Sequence, residues 1–173
     1  MNDAASRVAE AALPHLDAAC NLARWLVRDA TLAEDVVQEA FARALTYAAG
    51  FRAENPRAWL LAIVRSTAYD RLALDRRYTP LDEDAHAGVP DPAAGPEDLA
   101  IGQEQSARLT AMLEALPPEW RECIVLREIE CLSYRDIARV SGVPIGTVMS
   151  RLSRARQALA RQASAVQARE LAR

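Results

Sequence analysis

The sequence predicts an all-α protein of two small helical domains joined by an acidic linker, and three observations carry that prediction. Apolar residues recur at spacings of three and four, and no stretch keeps the period of two that a half-buried strand needs. Alanine is used heavily and β-branched residues sparsely, which favours helix over sheet. A stretch rich in proline and acids runs from Tyr78 to Pro96 and holds Pro80, Gly88, Pro90, Pro92 and Gly95. Such a segment can neither sustain a helix nor bury a core. It divides the 173 residues into a domain at 1–77, a linker at 78–96 and a second domain at 97–173.

Three helices are expected before the linker. The first spans about Leu13 to Arg28, with Leu16, Cys20, Ala23 and Val27 on one face. The second starts at Thr31, where Glu34 stands at capping-box spacing. Its inner face is Val37, Ala40, Phe41, Ala44 and Leu45, and its outer face is Asp35, Gln38, Glu39, Ala42 and Thr46. The third opens at Asn55-Pro56, an N-cap followed by a proline that loses no needed N–H, and buries Leu60, Ile63, Val64 and Thr67.

After the linker, a helix from about Glu97 to Leu116 turns Leu109, Met112, Leu113 and Leu116 inward. Pro117-Pro118-Glu119 ends it and begins another, carrying Trp120, Ile124 and Leu126. Ser133 and Asp136 cap a short helix to Val140. Ser141-Gly142-Val143 is a turn, and Pro144 starts a last helix that runs to about Gln162.

The net charge is −3, which by itself opposes nucleic-acid binding. Its distribution reverses that reading. Residues 1–79 are neutral, residues 80–115 carry −7, and residues 116–173 carry +4, every basic residue being arginine. Cys20, Cys123 and Cys131 match no zinc or redox spacing, and His15 and His86 are isolated. No phosphate loop, metal cluster or nucleophile–base pair is present in the sequence. The expected work is therefore binding without bond-making, with no catalytic residue, metal or cofactor. The N-terminus lacks a secretory pattern, and no apolar run reaches the roughly 18 residues of a membrane span. A cytoplasmic location without direct membrane contact is expected.

Tyr134 to Leu152 is the most informative segment: a short amphipathic helix, a turn at Gly142 and a second helix, which together describe a helix-turn-helix. Ala138 is small where the helices cross, and Val148, Leu152, Ala155 and Leu159 continue the core between them. The opposite face offers Met149, Ser150, Ser153, Arg154, Arg156 and Gln157, side chains able to meet phosphates and base edges in a major groove. A plain amphipathic pair with solvated arginines fits the same pattern.

Leu116-Pro117-Pro118, Arg121, Leu132-Ser133-Tyr134, Ile137-Ala138, Gly146-Thr147-Val148, Ser150-Arg151-Leu152 and Arg154-Ala155-Arg156 resemble the C-terminal domain of the extracytoplasmic-function sigma factors of bacterial RNA polymerase. The resemblance implies minus-thirty-five DNA contacts from Thr147, Met149, Ser150, Arg151, Ser153, Arg154 and Arg156. Ala33-Glu34-Asp35-Val36-Val37-Gln38-Glu39-Ala40-Phe41 is similar to the family's docking segment for the polymerase β′ clamp helices. Asp35, Gln38, Glu39, Phe41 and Thr46 are thereby implied as core-binding residues, and the exposed stripe suits charge-assisted bonds to a basic partner.

Asn55-Pro56-Arg57-Ala58-Trp59-Leu60, continuing to Asp70-Arg71, resembles the family's minus-ten reading and melting element. This implies DNA roles for Asn55, Arg57, Trp59, Arg65, Ser66, Asp70, Arg71, Arg76 and Arg77. Trp59 fits either the core or a platform for unstacked bases. Two positions depart from the family: Ser66 where many members have Asn, and Met149 where many have Lys or Arg. The resemblance further implies the β flap of core polymerase and promoter DNA as partners, and an anti-sigma factor, commonly membrane-linked. A stand-alone helix-turn-helix regulator and a sigma mimic that titrates an anti-sigma factor are the competing readings. The first leaves the Asp35–Phe41 segment unexplained, and the second is usually built with a βαβ receiver domain.

Overall fold

The structure is a computed structural model that describes residues 3–48, 51, 54–78 and 96–171, so residues 79–95 of the expected linker lie outside the described residues. Every element is helical: α1 (Asp3–Ala12), a 3-10 turn (Leu13–His15), α2 (Leu16–Val27), α3 (Ala30–Thr46), α4 (Pro56–Tyr78), α5 (Pro96–Glu114), α6 (Pro118–Ile124), a π turn (Val125–Ile129), α7 (Tyr134–Ser141) and α8 (Ile145–Leu171).

In the N-terminal half, alanines let α2, α3 and α4 approach closely. Ala19, Ala23, Ala33, Ala40, Ala58 and Ala68 are all buried around Leu22, Val36, Leu60, Leu61 and Val64. The inner face of α2 is Ala18, Ala19, Leu22, Ala23 and Val27, so the expected face is rotated and Leu16 is exposed. Asp29, not Thr31, caps α3: its Oδ1 accepts from the Leu32 N–H at 2.7 Å. Thr31 and Glu34 lie inside the helix and face solvent, so the expected capping box is not the cap. Leu45, expected inside, is also exposed. Asn55 caps α4 as expected, its Oδ1 accepting from the Ala58 N–H at 3.1 Å. The buried Thr67 hydroxyl is satisfied by the Ile63 carbonyl at 2.9 Å. Helix α1 was not expected; its Val8 packs with Ala44 and Ala48 in a small second cluster beside Trp59 and Ile63.

In the C-terminal half, Leu113 and Leu116 close the core while Leu109 faces solvent. The Ser133 hydroxyl caps α7, accepting from the Asp136 N–H at 3.1 Å, and Gly142 ends it at φ 67°, ψ 28°. The space around a Cβ at Gly142 is empty, so backbone conformation alone asks for glycine. Helix α8 runs past Gln162 to Leu171, through alanine, glutamine and arginine that favour helix.

The two halves share one apolar core. Leu22, Leu60, Leu61 and Val64 join Leu113, Ile124, Val125, Leu126 and Ile137 in a single cluster. Helix α4 packs on α7, and α2 packs on α6.

Candidate nucleic-acid interface

Ile137, Val140, Val148, Leu152 and Ala155 are buried between and beneath α7 and α8, which fixes the rotation of α8. That rotation leaves Met149, Ser150, Ser153, Arg154, Arg156 and Gln157 exposed, with Met149 at 53%. Arg156 reaches Glu128 at 2.6 Å, an exposed pair of small worth. Thr147 and Arg151 are half-buried, and Arg151 turns toward the Cys123 thiol, whose pKa burial pushes up against the pull of that arginine.

On α3, Asp35 and Gln38 are exposed. The other residues of the expected polymerase-binding stripe have internal partners. Glu39 takes Arg43 on Oε1 and Arg71 on Oε2, each at 2.7 Å, and Arg43 also reaches Asp70 at 2.7 Å. This chain of four charges staples α3 to α4. Burial pushes the Glu39 carboxyl up, but the bonds from Arg71 and Arg43 outweigh it and hold the group below its ordinary value. Phe41 packs against the core, and the Thr46 hydroxyl bonds the Ala42 carbonyl of its own helix at 2.9 Å.

The arginines of α4 expected on DNA are also engaged. Arg57 pairs with Glu130, and Arg65 pairs with Glu122 and lies over the Tyr69 ring at 4.5 Å. Trp59 is half-buried, stacks edge-on with Phe51 at 4.6 Å and packs beside both apolar clusters. Ser66 is exposed and bonds the Ile63 carbonyl at 2.9 Å. The side chains of Arg76 and Arg77 lie outside the described residues.

Sequence reasoning missed the acids that hold these arginines. Glu122 has no exposed side-chain area; besides Arg65 it accepts from the Tyr69 hydroxyl at 3.2 Å and the Ser141 hydroxyl at 3.4 Å. Burial first, then Glu122, pushes the Tyr69 phenol up to about 12. Glu130, 5% exposed, accepts from Asn21 at 2.6 Å as well as from Arg57. Arg28 reaches Glu114 at 3.1 Å across the same boundary. A signal for Glu122 was present: it stands three and four residues before Val125 and Leu126, on the helical phase of the buried face.

Two buried nitrogens without a hydrogen-bond partner among the described residues, Arg57 Nε and Arg121 Nη1, belong to this boundary region. A buried donor left unsatisfied costs about 1–3 kcal/mol. Burial, and then the Arg28 charge, lower the Arg121 pKa.

Comparison with known proteins gives this arrangement its place. The family model described as Sigma-70 region 2 matches residues 12–78, and that described as Sigma-70, region 4 matches residues 106–159. The RNA polymerase sigma-H factor of Pseudomonas aeruginosa is 38% identical over 142 residues, covering 77% of this chain and 74% of that one. The ECF RNA polymerase sigma-E factor of Escherichia coli is 37% identical over 134 residues, covering 72% and 70%.

This chain belongs to the extracytoplasmic-function sigma factors.

It is an alternative sigma factor, which directs RNA polymerase to promoters. Among solved structures, the sigma factor RpoE in complex with the anti-sigma factor NepR from Bartonella quintana aligns with a TM-score of 0.70 at 29% identity, covering 88% of this chain and 94% of that one. CnrH in complex with the cytosolic domain of CnrY aligns at 0.66 and 26%, covering 94% and 93%. Helices α2, α3 and α4 thus fall in region 2, and α6, α7 and most of α8 in region 4.

Proposed function

We propose that this sigma factor serves a signal-responsive set of promoters from the cytoplasm, and that it acts by binding alone while the polymerase supplies the chemistry. In this reading region 4 recognises the minus-thirty-five element with Met149, Ser150, Ser153, Arg154 and Arg156 on α8. Arg57, Arg65, Ser66 and Arg71 of α4 meet the minus-ten strand after the two regions separate. Asp35 and Gln38 present the free part of the polymerase-docking stripe. The observation that carries the reading is α8, whose buried side fixes an exposed polar and arginine-bearing face on the second helix of a helix-turn-helix. The test is migration with core RNA polymerase on a sizing column. Comigration is expected, and a chain that elutes alone while binding duplex DNA is a stand-alone regulator instead.

An anti-sigma partner belongs to the same proposal. It is supported by the first of the solved relatives above, a sigma factor in complex with an anti-sigma factor. Coexpression with a candidate partner is expected to protect amides of both regions from hydrogen exchange, and protection of neither refutes the pairing.

A further inference from the structure

The polar groups that cross between the two regions are sorted by sign. Region 2 contributes donors: Asn21, Arg28, Arg57, Arg65 and the Tyr69 hydroxyl. The C-terminal half contributes carboxylates: Glu114, Glu122 and Glu130. This sorting runs against the overall charge of residues 116–173, which is +4. Two of the six acids of that basic half, Glu122 and Glu130, stand where they meet region 2.

The local backbone is shaped to aim them. The Glu130 N–H closes the π turn on the Val125 carbonyl at 3.0 Å, and the next residue, Cys131, takes the left-handed conformation at φ 52°. Glycine or asparagine is the usual occupant of that conformation, so the cysteine is held there against its preference. These two irregularities end the helical run at Glu130, the residue that pairs with Arg57 of α4.

A row of guanidinium groups on one helix, each facing a carboxylate, is also the arrangement that binds a row of phosphates. We infer that Glu122 and Glu130 act as an internal stand-in for the nucleic-acid backbone. They occupy Arg57 and Arg65, so that region 4 and a single DNA strand compete for one face of α4. The inference rests on the reading that this face meets the minus-ten strand. The partnerless nitrogens of Arg57 and Arg121 leave the closed form incompletely satisfied, which suits a contact that must yield. The face of α8 lies outside this competition, because its outward side chains take no part in the pairs between the regions.

The test uses the free full-length chain and a single-stranded oligonucleotide of minus-ten length. Glu122→Gln with Glu130→Gln keeps volume and one acceptor oxygen on each side chain while removing the charge. Hydrogen exchange in α4 and α7 is expected to rise, and oligonucleotide affinity to rise about tenfold, with helical content by circular dichroism unchanged. Unchanged affinity overturns the inference, whether or not the regions separate. Should the double variant lose helical content, Arg57→Glu combined with Glu130→Arg replaces it: the reversed pair is expected to hold α4 exchange at the wild-type level while Arg57→Glu alone raises it, and equal exchange in the two overturns the inference. A failure of the underlying reading is seen separately in the holoenzyme, where Arg57→Gln with Arg65→Gln would then leave promoter melting intact.

Discussion

Helices α4 and α8 both carry arginines toward nucleic acid in the proposed reading, yet the structure holds them differently. On α8 the outward groups Met149, Ser150, Ser153 and Arg154 are exposed, and the fold buries only the opposite side. On α4 the groups Arg57, Arg65 and Arg71 each hold a carboxylate, two of them from the other half of the molecule. The difference teaches that a basic helix face is not by itself an available one. In that reading duplex recognition by α8 needs only that helix to be presented, whereas strand capture by α4 needs pairs to be broken first. A buried ion pair loses far more when one partner is removed than an exposed pair does, because the remaining charge stays desolvated.

The comparison is broken most visibly in the holoenzyme, where the proposed reading has the regions part. Arg57→Gln with Arg65→Gln removes two charge-assisted bonds of about 1.5–3 kcal/mol each, so melting is expected to fall by about a hundredfold or more. Permanganate reactivity of unpaired thymines reads this, while promoter occupancy through α8 persists. Next in size is Asp35→Ala with Gln38→Ala, which spares both helices and removes the exposed part of the α3 stripe. Affinity for core polymerase is expected to drop about tenfold or more in a competition assay, with helical content unchanged.

Met149→Arg sharpens the α8 side. The methionine can pack on a thymine methyl but cannot bond guanine O6 and N7, and a bidentate contact discriminates by roughly 1–3 kcal/mol. Selection from a randomised minus-thirty-five library is expected to move toward guanine at one position. The smallest effect belongs to Arg154→Ala, which is expected to flatten the salt dependence of binding by about one unit of slope.

The helix-turn-helix was legible because its boundaries rest on residues that act locally. Ser133 caps with its own hydroxyl, and Gly142 enters left-handed space that other residues avoid. Helix α1 was not, because Val8 is its only large buried apolar residue and alanines give no phase. Asp29 and Thr31 are both sound N-caps, and only the entry angle of the chain chooses between them. Leu16, Leu45 and Leu109 share a spacing with the true core and sit at its edge, a distinction periodicity does not contain.

Of the proposed site, the exposed face of α8 follows from the phase set by Val148 and Leu152. The fate of Arg57 and Arg65 does not follow from any local pattern. Their partners stand 73 and 57 residues away, and charged residues at such separations read as solvated until the fold brings them together.

The measurement that tests the central claim most directly is run-off transcription with purified core polymerase, this chain and a library of genomic fragments. The account predicts transcripts from fragments that share two spaced elements, with permanganate-reactive thymines in the downstream one. No transcript above that of core polymerase alone, together with binding of duplex DNA by the free chain, would contradict it.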